Sequence, residues 1–200
     1  MSILIREVRE HELESVLALN NAAGPTILAL DMEQLRFFFE EAAYFRVAEV
    51  DGAMSGFLIG FDQHSQYRSS NYLWFKARYP AFLYIDRVVI DSAHRGGGVG
   101  RVFYADVTSF AEVRQPILAC EVFLEPRNDA ALLFHGTYGF QEVGQRVMDE
   151  NGLPVSMLVK ELTSYPWVKE RWLDGEGLPH VPWLAERAHR SSRPAQEVRG

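Results

Sequence analysis

Arg87-Val88-Val89-Ile90-Asp91-Ser92-Ala93-His94-Arg95-Gly96-Gly97-Gly98-Val99-Gly100-Arg101 is the stretch on which the reading of this chain turns. Upstream, Phe82–Ile90 is an apolar run interrupted only by Asp86-Arg87, the pattern of a buried strand. Downstream, residues 98–113 carry apolar side chains at helical spacing. Between them, glycines let successive backbone N–H groups turn toward one anion, and the helix start adds the positive end of its dipole. The segment therefore reads as a cradle for a phosphate or pyrophosphate. Spacing excludes two common cradles. A P-loop needs Lys and a hydroxyl after its last glycine, but Arg101-Val102 follow Gly100. A dinucleotide G-x-G-x-x-G begun at Gly96 and Gly98 would place its third glycine at Arg101. What remains is R-x-x-G-x-G, from Arg95 to Gly100.

Working outward, Ile3–Val8 alternates as a strand. Leu13, Val16, Leu17 and Asn20 share one face of a helix over about residues 9–21, closed by Gly24-Pro25. Asp31 and Gln34 are spaced as a capping box and start a second helix through about Ala42. Tyr44–Val50 and Ala53–Phe61 read as strands joined by the two-residue turn Asp51-Gly52. Asp62–Pro80 then breaks the pattern. It holds five aromatic residues and sets Arg68, Lys76 and Arg78 against Asp62. A connection of that length is expected to border a binding site, and its positive balance would suit an acceptor bearing a carboxylate or phosphate. Beyond the glycine turn come a strand (Ile117–Leu124), a helix (Asn128–Tyr138, ended by Gly139) and a closing hairpin (Phe140–Met148 with Val155–Leu162). From Thr163 the texture changes: the last 38 residues hold four of nine prolines and three of four tryptophans. Tyr165–Leu184 reads as an extension strapped to the core by Trp167, Trp172 and Trp183, and Ser191–Gly200 as a mobile end.

The strand, acidic turn and R-x-x-G-x-G together resemble the acetyl-CoA pyrophosphate loop of the GNAT N-acetyltransferases. A second match follows at the family's distance. Cys120-Glu121-Val122-Phe123-Leu124-Glu125-Pro126-Arg127-Asn128, running on to Gly139-Phe140, is similar to its strand, Asn-led helix and terminal Gly-Phe. The resemblance covers about residues 3–162. It implies an α/β fold of three layers: a central, mostly antiparallel, splayed sheet of about six or seven strands, flanked by about four helices. It divides the chain into a domain over 1–162 and a Pro/Trp-rich extension over 163–200.

For the site, the resemblance implies acetyl-CoA as co-substrate. Val88, Val89 and Ile90 would line the pantetheine arm, and the strand's N–H near Val88 or Val89 would meet the thioester carbonyl. Arg95, Gly96, Gly97, Gly98, Val99, Gly100 and Arg101 would hold the pyrophosphate, and Asn128 would contact the pantetheine. The catalytic base would be Glu121 or Asp86, with Glu125 a weaker third; Asp86 has an ion pair with Arg87 as its structural alternative. For the acid that protonates the leaving thiolate, many members carry a tyrosine where this chain has His135, with Tyr138 nearby. Cys120 alternates with Glu121 along the strand and so belongs to the packing layer.

Composition narrows the rest. The chain has 200 residues, 48% of them hydrophobic, and a formal net charge of −7. That suits one domain and argues against nucleic acid or an anionic membrane as partner. No apolar run reaches the ~20 residues of a membrane span, and the opening residues turn charged too soon for a secretory signal. One cysteine excludes an internal disulfide, and six scattered histidines lack metal-ligand spacing. The expectation is a cytoplasmic, metal-free N-acetyltransferase moving acetyl to a primary amine of a small molecule. A protein or peptide N-terminal acetyltransferase and a non-catalytic acyl-CoA sensor are its alternatives, and a homodimer is an arrangement the sequence leaves open.

Overall fold

The computed structural model describes residues 2–24, 27–149, 151–175 and 177–178. Seven strands form one sheet in the order β1-β2-β3-β4-β5-β7-β6: β1 (Ile3–Glu7), β2 (Tyr44–Val50), β3 (Ala53–Asp62), β4 (Leu83–Ile90), β5 (Ile117–Phe123), β6 (Gln141–Val147) and β7 (Pro154–Glu161). Neighbours are antiparallel except for β4 and β5. The β2–β3 turn places Asp51 and Gly52 at φ 50° and 88°, the left-handed pair that a tight hairpin turn uses.

Helices cover both faces. α1 (Leu13–Asn21), α2 (Met32–Glu41) and α3 (Ser70–Lys76) bury Val16, Leu35, Phe38, Tyr72 and Phe75 on one side. α4 (Val99–Glu112) and α5 (Asp129–Thr137) cover the other, where α4 sinks Val99, Phe103, Tyr104 and Val107. The Asp31–Gln34 capping box forms as its spacing predicts, with Asp31 accepting from Gln34 N at 2.8 Å. The mixed, splayed sheet between helical layers is the expected fold class. Among the described residues no helix is long and apolar enough to cross a membrane.

Two expectations need correction. Asp62–Pro80 is not all loop: it contains α3, capped by Ser69, whose Oγ accepts from Tyr72 N at 3.1 Å. Tyr72 and Phe75, three apart, anchor it on the sheet, so packing rather than propensity holds this short helix. In the extension, α6 (Tyr165–Val168) docks through Val168 and Tyr165, whereas Trp167 is 63% exposed and anchors nothing. Trp183 and Ser191–Gly200 lie outside the described residues.

The feature that builds the site is in β4. Its pairing with β3 jumps from Ile59↔Arg87 to Gly60↔Ile85, which leaves Asp86 as the extra residue of a bulge. Before it, Leu83 and Ile85 face α4 and Tyr84 faces α2 and α3; after it, Arg87 and Val89 face α1 and α2, and Val88 and Ile90 face α4. The bulge thus shifts the alternation by one residue. It also lets two consecutive side chains, Asp86 and Arg87, meet on one face.

Candidate active site

β4 and β5 pair only at Leu83↔Leu118 and Tyr84↔Ala119, then diverge. Two cavities open where they part. One, of about 590 Å³, runs from the glycine turn along Val88, Val89 and Ile90 to Cys120, Asn128 and His135, largely on the α4–α5 face. The other, of about 770 Å³, lies on the opposite face among α2, α3 and the segments at 27–31 and 66–69. Asp86, Arg87, Glu121, Phe123 and Ile27 line both. The two cavities therefore meet through the gap in the sheet.

The glycine turn is built as an anion cradle. Gly96 and Gly98 adopt φ 78° and 93°, and Gly98 is the residue from which α4 starts. The first turn of a helix leaves its N–H groups without intrahelical partners. They open here beside Arg95 and Arg101, which line the same cavity. Arg95 Nε donates to Ile90 O at 3.1 Å and its Nη2 to Ala23 O at 3.4 Å, which holds the guanidinium beside the end of β4. A long groove with backbone donors and two cations at one end fits a nucleotide pyrophosphate with an extended arm.

A model of the "Acetyltransferase (GNAT) family" matches residues 5–140. The chain belongs to that family. The solved structures share the fold. A ribosomal-protein-alanine N-acetyltransferase from Brucella melitensis aligns at TM-score 0.60 and 25% identity, covering 80% of this chain and 99% of the other. A NatC complex bound to Gag peptide and CoA aligns at 0.62 and 16%, with coverages of 81% and 99%. A chain assigned as a phosphinothricin N-acetyltransferase aligns at 0.61 and 21%, with coverages of 80% and 99%. A search of curated sequences returns no significant match.

The structure sorts the residues this GNAT chain was expected to use. Arg95, Gly96, Gly98, Gly100 and Arg101 line the groove, but Gly97 does not, and the Val99 side chain is buried beneath α4. Asn128 caps α5 by accepting from Ala131 N at 3.1 Å, which leaves its amide N–H groups for the groove it lines. Cys120 is buried on the α4 face, where burial pushes its thiol up and away from nucleophilic use.

The five candidate proton carriers differ sharply. Asp86 accepts from Arg87 Nε and from Tyr67 OH, both at 2.6 Å, so each carboxylate oxygen is engaged. Arg87 in turn donates to Asn20 Oδ1 and Leu28 O. This ion pair, the structural alternative expected for Asp86, thereby ties α1 and the segment at 27–31 to β4. His135 donates from Nδ1 to Ala131 O at 2.7 Å, so Nε2 accepts from Tyr104 OH at 2.6 Å. Burial lowers its pKa, and both nitrogens are engaged, so it holds no spare proton for a thiolate. Tyr138 packs on Tyr104 and Phe134 and lines neither cavity, and Glu125 is exposed outside both.

Glu121 stands apart. Its Oε1 accepts from Tyr84 OH at 2.9 Å, while Oε2 is buried without a partner. Burial, with the neighbouring charge of Asp86, raises its pKa to about 7. That is the range in which a carboxylate exchanges protons at neutral pH. Tyr84 and Asn71, the residues that face Glu121, carried no sequence signal of their own. Tyr84 looked like a strand residue, and Asn71 sat in a segment without visible periodicity. Among the described residues no cluster of His, Cys, Asp and Glu is placed to hold a metal.

Proposed function

We propose that this acetyltransferase moves acetyl from acetyl-CoA to a primary amine of a small molecule, with Glu121 as base. The observation that carries the reading is the junction of the two cavities at an unpartnered, buried carboxylate oxygen whose pKa is about 7. The groove on the α4 side would hold the nucleotide and its pantetheine arm, with Arg95, Arg101 and the α4 N–H groups on the pyrophosphate. Asn128 and the open edge of β4 would orient the arm. The amine enters from the other face. Its nitrogen bonds to the acetyl carbon, the carbon–sulfur bond breaks, and Glu121 takes a proton from the nitrogen. The thiolate is protonated by solvent, because neither His135 nor Tyr138 offers it a free proton.

A small acceptor is favoured because segments 27–31 and 66–69 wall the second cavity on two sides and Phe37, Phe38 and Tyr67 line it. Of the cations in Asp62–Pro80, only Arg68 reaches it. Lys76 donates to Ser65 O, and Arg78 stacks on Trp74 at 3.9 Å. With Asp31 and Glu33 also on the lining, the cavity does not carry the net positive charge inferred from composition. The lone, buried Cys120 suits a reducing cytoplasmic setting.

Calorimetry with acetyl-CoA and thiol release across a panel of amines and short peptides test the reading. Micromolar binding with turnover of small primary amines supports it. Turnover of peptides alone would assign the cavity to a chain N-terminus, and binding without any turnover would indicate a sensor.

A further inference from the structure

We propose that Asn71 is the specificity-determining partner of Glu121, and that its side-chain oxygen selects primary over secondary amines. The inference rests on Glu121 being the base. Asn71 is 1% exposed, yet neither Oδ1 nor Nδ2 has a hydrogen-bond partner. A buried amide left unpaired costs about 1–3 kcal/mol, so a fold that retains one has a reason outside its own packing. Here the amide lines the acceptor cavity together with Glu121, whose Oε2 is the other buried, unpartnered atom in that lining.

The orientation of the amide follows from charge. Beside a carboxylate, charge favours the N–H edge of an amide over its oxygen, so Nδ2 is the edge suited to the Glu121 side, although no hydrogen bond joins the two. Its Oδ1 edge is then left to accept from a ligand. The side chain is held there by its neighbours: Ser69 caps α3, and Tyr72, fully buried, donates from its hydroxyl to Asp62 O at 2.7 Å. Two acceptors, Glu121 Oε2 and Asn71 Oδ1, are thus left without partners in residues that line one cavity.

That arrangement counts hydrogens. As an amine nitrogen closes on the acetyl carbon it carries its own substituent, the new carbon bond and, if primary, two N–H groups. One proton goes to Glu121 and the other N–H is accepted by Asn71. A secondary amine has a single N–H at that point. It leaves Asn71 Oδ1 unpaired and sets a second carbon against it. A site built to bond an N–H rejects the analogue that lacks it more strongly than an apolar pocket rejects added bulk.

The test compares 2-phenylethylamine, a butylamine and a phenylalanine amide with their N-methyl counterparts, in wild type, Asn71→Leu, Asn71→Ser and Glu121→Gln. Leu keeps the γ-branched shape and the number of heavy atoms and removes the oxygen. We expect wild type to favour each primary amine. Asn71→Leu should lose about 10- to 100-fold in kcat/KM for primary amines, mostly through KM, and less than about threefold for N-methyl amines. Calorimetric affinity for acetyl-CoA should be unchanged, which shows the variant folded, and Asn71→Ser should fall between. An unaltered preference in a variant that still binds acetyl-CoA overturns the assignment of Asn71 and leaves Glu121 as base. Undiminished turnover in Glu121→Gln overturns the base instead. A wild type that acetylates none of the primary amines overturns both.

Discussion

Tyr84 OH reaches Glu121 Oε1 at 2.9 Å from the last paired rung of β4 and β5, where Tyr84 stands opposite Ala119. The strands are still side by side at Tyr84 and already parting at Glu121. The hydrogen bond therefore spans the point at which the sheet opens. Burial raises the phenol's pKa, so Tyr84 keeps its proton and stays a donor. It favours the charged form of Glu121, against burial and Asp86, which oppose it.

For activity, kcat/KM should rise through about pH 7 as Glu121 ionises and then level off, once corrected for ionisation of the acceptor. Glu121→Gln should remove the rise and lower kcat/KM by about 100-fold or more. Tyr84→Phe deletes the hydrogen bond that favours the carboxylate, so the rise should move to higher pH. A profile that does not move in Tyr84→Phe would show that Glu121 is not the group being titrated.

Stability should run the opposite way. Glu121 binds its proton more tightly folded (about 7) than unfolded (4.5), so its contribution is fully present below about pH 4.5 and is lost as pH rises through 7. Glu121→Gln should therefore raise stability at pH 8, by something on the order of 3 kcal/mol, and matter little at pH 4.5. Urea melts at the two pH values check the sign.

Arg87→Met should cost about 3–5 kcal/mol, because it leaves the Asp86 carboxylate buried without its counter-charge. It also frees Leu28 O and Asn20 Oδ1, which hold the acceptor wall. The double variant Asp86→Asn with Arg87→Met should recover part of the loss. Chemical denaturation of the two single variants and the double measures the coupling.

Gly98→Val should weaken acetyl-CoA binding at least tenfold while the sheet persists. A branched side chain at φ 93° is strained by about 1–2 kcal/mol and tilts the first N–H groups of α4. Calorimetry reads the affinity and circular dichroism the fold. Retained affinity would mean that the pyrophosphate is held elsewhere.

Much of this architecture was legible because its signals are local. Asp51-Gly52 sets a hairpin through two left-handed residues, Asp31 and Gln34 cap each other three apart, and Gly96 to Gly100 turn a strand into a helix start within a few positions. Asn20, polar on an apolar helix face, also showed its place in the sequence; it proves to be a buried partner of Arg87. The site itself was less legible. The bulge at Asp86 depends on pairing with β3, so no residue type announces it. Asn71 and Tyr84 acquire their roles from Glu121, some 50 and 37 positions away. α3 left one faint signal, Ser69 ahead of Tyr72 and Phe75, which aromatic density concealed.

Because the sheet is parted rather than covered, the two cavities meet inside the molecule yet open on opposite faces. With the nucleotide in one and the amine in the other, as proposed, the reactants would arrive by separate doors, and the spent thiol and the acetylated amine would leave by them. On that reading neither product would have to wait for the other to clear an exit, and a crowded acceptor door would leave the nucleotide's route free.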